Sequence, residues 1–180
     1  QVRIIRHDFR HHIHALLYMD KEQQVKYLKN LQKELETSEQ KIFCENQAVN
    51  GLIQEYAVRA EKAGISFTAR LDLSAHIPID DLTLCIVIGN LLENALDACR
   101  DCTDTAPFIR IRAREESGHI ALAVDNTCGS APIEENGQFR STKHEGFGTG
   151  TASVRAIAQR HQGVAEFRHE DGIFYASVFI

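Results

Sequence analysis

Four short runs of alternating apolar and polar residues, joined in pairs by two tight-turn signals, constrain this chain more than any other feature. Residues 108–114 and 119–124 alternate around Ser117-Gly118, and residues 164–170 and 173–180 alternate around Asp171-Gly172. Alternation puts every second side chain on one face, and a two-residue link ending in glycine selects a hairpin turn. Two hairpins therefore make a sheet with one apolar face that other elements must cover. Periodic helices supply the cover. One runs over about 45–63 and stops at Gly64, and one reaches Arg100 after start signals at Pro78 and Asp80-Asp81. A third follows Thr149 through Val154, Ile157 and Ala158. A further alternating run, 65–73, lines up Ile65, Phe67, Ala69, Leu71 and Leu73. This part reads as α+β, helices layered on a mixed sheet.

The first 40 residues follow another rule. Val2, Ile5, Phe9, His12, Leu16 and Met19 share one side of a helix, and Val25, Leu28, Leu31 and Leu35 repeat the seam. The segment reads as a helical hairpin. Two short helices alone bury too little, so the expectation is a homodimer that pairs two hairpins as a four-helix bundle. The expected domains are 1–44 and 45–180.

With 20 basic and 25 acidic residues the formal net charge is -5, which gives no general attraction to nucleic acid or anionic lipid. Any anion site must be local. Five cysteines, an odd number without scaffold spacing, fit a reducing, cytoplasmic compartment, and the single C-x-x-C at Cys99 and Cys102 lacks the second pair a zinc site needs. No run reaches the roughly 18 apolar residues of a membrane span. The chain opens on Gln1, which fits a piece of something longer, so membrane attachment is expected only through a missing upstream segment.

Four of the nine histidines fall within Arg6-His7-Asp8-Phe9-Arg10-His11-His12-Ile13-His14. His7, His11 and His14 lie within about 60° on a helical wheel, flanked by Arg3 and Arg10 and opposite the Phe9–Leu16 seam. Two chemistries fit. H-D-x-x-H is a zinc-hydrolase pattern, though it lacks a third ligand and a cleft. Alternatively, His7 is a nucleophile for a phosphoryl group, with Asp8 holding the proton on its other ring nitrogen and Arg10 steadying incoming charge. A plain solvated face remains open beside both.

Further along, Asn90, Glu93, Asn94 and Asp97 gather on one side of a helix whose other side is Ile88, Leu91, Leu92, Ala95 and Cys99. Two asparagines one turn apart suit a hydrated Mg²⁺ and triphosphate oxygens. Asp125, in Asp125-Asn126-Thr127-Cys128-Gly129, follows a strand and suits an exocyclic base amine. In Gly146-Phe147-Gly148-Thr149-Gly150 three alternating glycines let backbone approach phosphates ahead of a helix N-terminus, with Lys143 just before.

Their order resembles the sensor histidine kinases of the GHKL ATPase superfamily, and the R-H-D and N-L-L-E-N-A boxes resemble the peptide-receptor and quorum-sensing type. The likeness implies a phosphotransfer hairpin followed by a Bergerat-fold ATP-binding domain. It matches His7 to the phosphoacceptor, Asp8 to the adjacent acid, Asn94 to the Mg²⁺ ligand, Asn90 to its phosphate-side neighbour and Asp125 to the adenine reader. Gly146, Gly148 and Gly150 match the nucleotide lid, and Asp97, Gly129, Lys143 and Thr149 complete the ATP set. Thr127 departs from the family's D-x-G-x-G, and His11 sits where related kinases carry a residue used in dephosphorylation. The implied activity is autophosphorylation on His7 with ATP and Mg²⁺, then transfer to an aspartate of a response-regulator receiver domain. The alternative is a non-catalytic dimeric phosphotransfer scaffold of the same architecture.

Overall fold

The computed structural model describes residues 19–21, 23–25, 27–28, 41–100, 102, 106–129, 134–135, 138–139 and 149–180. The chain divides into two units, Gln1–Lys41 and Ile42–Ile180. In the first, the described residues between 21 and 28 are helical; the rest of the expected hairpin and its seams lies outside the described residues.

The second unit opens with α1, Gln47–Lys62. Asn46 caps it, its side chain accepting from the Val49 N–H at 2.9 Å. The other end of the same amide donates to Asp81 at 2.8 Å, which ties the starts of two helices together. Gly64, at φ 70°, ends the helix as expected. Strand β1, Ser66–Asp72, follows, then α2, Asp81–Arg100, whose first turn is capped by Asp80 accepting from the Thr83 N–H at 2.9 Å.

Strands β2, Phe108–Glu116, and β3, His119–Thr127, form the first hairpin, with Ser117 at φ 53° and Gly118 at φ 82°. A two-residue ribbon, β4 Glu134–Glu135 with β5 Gln138–Phe139, was not legible as strand in the sequence. Helix α3, Thr149–Arg160, leads into the second hairpin, β6 Val164–Glu170 and β7 Ile173–Phe179, turning at Asp171 and Gly172 with φ 50° and 73°. Positive φ at both turn positions is what the twist of such hairpins demands.

The sheet order is β1-β2-β3-β7-β6. Only β1 and β2 are parallel, and α2 lies in the crossover between them. All three helices pack on one face: α1 on β1, α2 on β2 and β3, and α3 on β6. The core lies between, with Leu84, Ile88, Leu92 and Leu96 of α2 meeting Ile109, Ile111, Ile120 and Val124 of the sheet. This is the α+β layering that the hairpins implied.

Helix α2 is long and apolar enough, by length and composition, to cross a membrane, although no unbroken apolar run marks it in the sequence. Eight of its residues face the core, which accounts for its composition without a bilayer.

Candidate functional site

The polar side of α2 is shared between two neighbours. Glu93 turns toward α1, where its carboxylate accepts from Arg59 at 2.8 Å and from the Tyr56 hydroxyl at 3.2 Å. The Arg59 guanidinium also lies 4.7 Å from the Tyr56 ring centre. Burial, reinforced by the Glu93 charge, pushes the Tyr56 hydroxyl up to about 12. This cluster holds α2 at one rotation. Asn94, one residue and about 100° further round, therefore faces α3. Asp97 pairs with Arg100 at 3.3 Å within its own helix.

Asn90 donates from its amide to the Ile86 carbonyl at 2.9 Å, which leaves its Oδ1 toward α3. The first turn of α3 comes so close that a Cβ on Gly150 would lie 3.1 Å from Asn94 Nδ2 and 3.3 Å from both Asn90 Oδ1 and Asn94 Oδ1. Only glycine leaves these three atoms their room. Four N–H groups without intrahelical partners open α3 beside two uncharged amides, an arrangement that favours phosphate oxygens. Asn94 is exposed and its amide makes no hydrogen bond among the described residues, so it is free to take a ligand.

At the end of β3 the strand's phase sets Asp125 apart from the asparagines of α2. Its register partners are Arg110 and Tyr175, on the face away from the helices. There it is bound to Arg112 at 2.7 Å, with Arg110 at 3.8 Å. A carboxylate on that face cannot read a base held on the other. Asn126, 2% exposed, takes the inner face in step with Ile120, Leu122 and Val124. Its amide nitrogen donates to the Thr127 carbonyl at 2.8 Å, and its Oδ1 accepts no hydrogen bond among the described residues. An acceptor held in a fixed orientation is what a base amine requires. The sequence carried this signal: the same alternation that made β3 a strand puts 126, not 125, with the buried residues.

Thr127 has a structural task. Its hydroxyl accepts from the Phe108 N–H at 2.6 Å and locks β3 to β2, while the Cys99 thiol donates to its carbonyl at 3.5 Å. Burial pushes that thiol up to about 11. Cys99 and Cys102 hydrogen-bond to separate backbone carbonyls, and no cluster of metal-ligating side chains occurs among the described residues. Gly129 is exposed in a bend just beyond β3, and Thr149 opens α3. His7, Asp8, Arg10, His11, Lys143, Gly146 and Gly148 lie outside the described residues.

The structure thus gathers Asn90, Asn94, Thr149 and Gly150 at one place, sets Asn126 on the inner sheet face, and removes Asp125 to the outer one. A groove of about 560 Å³ occupies that outer face, bordered by Arg112, Arg114, Ala121, Ala123, Ser177 and Phe179. It lies on the wrong side of the sheet to share the chemistry of the asparagines.

The family model described as the GHKL domain matches residues 79–180, more than half of the chain. The chain belongs to the GHKL family. The C4-dicarboxylate transport sensor protein DctB of Rhizobium meliloti is 39% identical over 84 residues, covering 44% of this chain and 13% of that protein. A probable C4-dicarboxylate sensor kinase of Halalkalibacterium halodurans is 26% identical over 185 residues, 94% of this chain and 34% of that protein. The chain therefore spans about a third or less of the curated relatives it matches. Among solved structures, the histidine kinase ThkA in complex with the response regulator protein TrrA superposes at a TM-score of 0.56 with 17% identity, covering 99% of this chain and 60% of that one. That likeness establishes the fold. The peptide-receptor subtype does not follow from these matches, whose curated relatives carry C4-dicarboxylate sensor names.

The GHKL residues present fit a magnesium nucleotide. Gly150 leaves a cradle that a Cβ would fill, Asn94 is unpaired, and Asn126 holds an unused acceptor.

Proposed function

We propose that this chain is the kinase portion of a two-component sensor: an ATP-dependent protein histidine kinase that phosphorylates its own His7 and passes the phosphoryl group to a response-regulator aspartate. The observation that carries the reading is the close approach of Gly150 to Asn90 and Asn94, which joins the start of α3 to the amide-bearing face of α2.

In this reading Asn94 would hold the Mg²⁺, which when bound would neutralise charge on the phosphate oxygens. Asn90 and the N–H groups of Thr149 and Gly150 orient the phosphates, and Asn126 accepts from the adenine amine in the role first expected of Asp125. Lys143, Gly146 and Gly148 complete the phosphate side, with Gly129 and Asp97 at its margins. Phosphoryl transfer needs positioning and charge neutralisation more than covalent help. A ring nitrogen of His7 forms a bond to the γ-phosphorus as the bond to the β–γ bridging oxygen breaks and ADP leaves. Asp8 orients the ring through its other nitrogen, and Arg10 balances the arriving charge. Residues 1–44 serve dimerisation and phosphotransfer, and 45–180 serve nucleotide binding. The homodimer sits on the cytoplasmic side of a membrane sensor, its partner the receiver domain of a response regulator, as ThkA is found in complex with the response regulator protein TrrA.

Incubation with γ-labelled ATP tests this. Acid-labile label should appear on the wild type and vanish in both His7→Gln and Asn94→Ala. Label that persists in His7→Gln would move the acceptor, His11 being the next candidate. Absence of nucleotide binding would instead favour the non-catalytic scaffold.

A further inference from the structure

Register aligns one row of side chains across the inner face of the sheet: Ile109, Asn126, Phe174 and His169, on β2, β3, β7 and β6 in turn. His169 Nε2 is enclosed and has no hydrogen-bond partner, alone in this among buried side-chain nitrogens and oxygens of the described residues. An enclosed polar atom without a partner costs stability, a cost that a partner arriving from outside the fold would remove.

The position of the row along α3 shows which partner that is. Helix and strand run antiparallel through the turn at 161–163, and the Arg155 guanidinium lies 5.1 Å from the Phe167 ring centre. Two residues further along β6 is about 6.6 Å. The same distance covers about four residues back along the helix, from Arg155 to Thr151 and Gly150. His169 is therefore level with the turn that meets Asn90 and Asn94. Two strand spacings, about 10 Å, separate it from Asn126, and the Phe174 ring lies between them.

Asn126 by itself offers one acceptor to a base amine. Asn126 separates an exocyclic amine from a carbonyl but leaves unread the ring nitrogen beside it, which is an acceptor in a 6-aminopurine and carries a proton in a 6-oxopurine. We propose that His169 is the second reader of the base: its Nε2–H donates, directly or through one water, to N1 of adenine over the apolar face of Phe174. His169 is then a second specificity-determining residue, which adds a reading of the ring nitrogen to the selection of the amine by Asn126. This rests on the nucleotide-site reading above.

The test is calorimetric titration of the whole chain with Mg·ATP, Mg·1-deaza-ATP and Mg·ITP, using wild type, His169→Phe and His169→Gln. One hydrogen bond predicts that wild type binds ATP about three- to tenfold more tightly than 1-deaza-ATP. His169→Phe should lose that factor for ATP and treat the two alike, while melting no lower than wild type without ligand because the orphaned atom is gone. His169→Gln, which keeps a donor, should recover part of the discrimination and provides the same comparison if the ring swap unfolds the chain. Wild type indifferent to loss of N1, or discrimination unchanged in both variants, overturns the role of His169 while ATP binding stands. Failure of wild type to bind ATP overturns the nucleotide site and this inference with it.

Discussion

Replacing Gly150 with alanine separates the folding role of that residue from its role in the site. The new methyl would sit 3.1 Å from Asn94 Nδ2 and 3.3 Å from Asn90 Oδ1 and Asn94 Oδ1, against a comfortable separation of about 3.5–4.0 Å. Two side chains on consecutive turns of α2 must give way together by a few tenths of an ångström. The backbone gains at the same time, though by less than the roughly 1 kcal/mol by which alanine favours a helix interior over glycine, since Gly150 lies in the first turn. Gly150→Ala should therefore melt at or above the wild-type temperature. Its ligand affinity should move the other way. Displacing Asn94 from a charged ligand forfeits about 1.5–3 kcal/mol, roughly 10- to 150-fold in the dissociation constant at 1.4 kcal/mol per decade. Thermal unfolding of the ligand-free protein and calorimetric titration with Mg·ATP read the two effects separately. An alanine variant that binds as tightly as wild type would refute the reasoning, as would one whose affinity falls only as far as its stability does.

Asp125→Asn should cost about 1 kcal/mol or less in urea unfolding, since Arg112 is half exposed and solvent screens the pair, and should leave ATP affinity unchanged; loss of ATP binding would return the base-reading role to Asp125. Because burial raises the Tyr56 hydroxyl to about 12, its neutral form is favoured in the fold; this stability is complete below pH 10 and disappears as pH climbs toward 12, at up to about 1.4 kcal/mol per unit. Tyr56→Phe should flatten that part of the pH–stability curve, and identical curves would contradict it. The buried Cys99 thiol, raised to about 11, should resist alkylation near neutral pH in the folded protein and react once it is unfolded, by mass spectrometry.

Legibility in the sequence followed the range of the interactions. The turns at Ser117-Gly118 and Asp171-Gly172 and the stop at Gly64 were readable because each depends on its own backbone conformation. Asn90 and Asn94 stood out because one turn of helix makes them neighbours whatever lies around them. The division of labour between Glu93 and Asn94 was not readable, since it depends on Arg59 and Tyr56 some 34 and 37 positions away in sequence. The face taken by Asp125 was readable in principle from the phase of Ile120, Leu122 and Val124, because a one-residue step moves a strand side chain through the sheet. Family likeness drew the eye to the carboxylate instead. The significance of His169 was not readable, because it is a missing partner that only the packed row of β3, β7 and β6 reveals.

The central claim is a magnesium-nucleotide site between α2 and the start of α3, with Asn126 beneath it. Titration of Mg·ATP and of ATP with excess chelator into wild type, Asn94→Ala and Asn126→Leu tests it most directly. The account predicts one magnesium-dependent site per chain in the wild type, loss of the magnesium dependence in Asn94→Ala, and loss of adenine over guanine preference in Asn126→Leu. Binding by both variants with wild-type affinity and the same response to magnesium would contradict it.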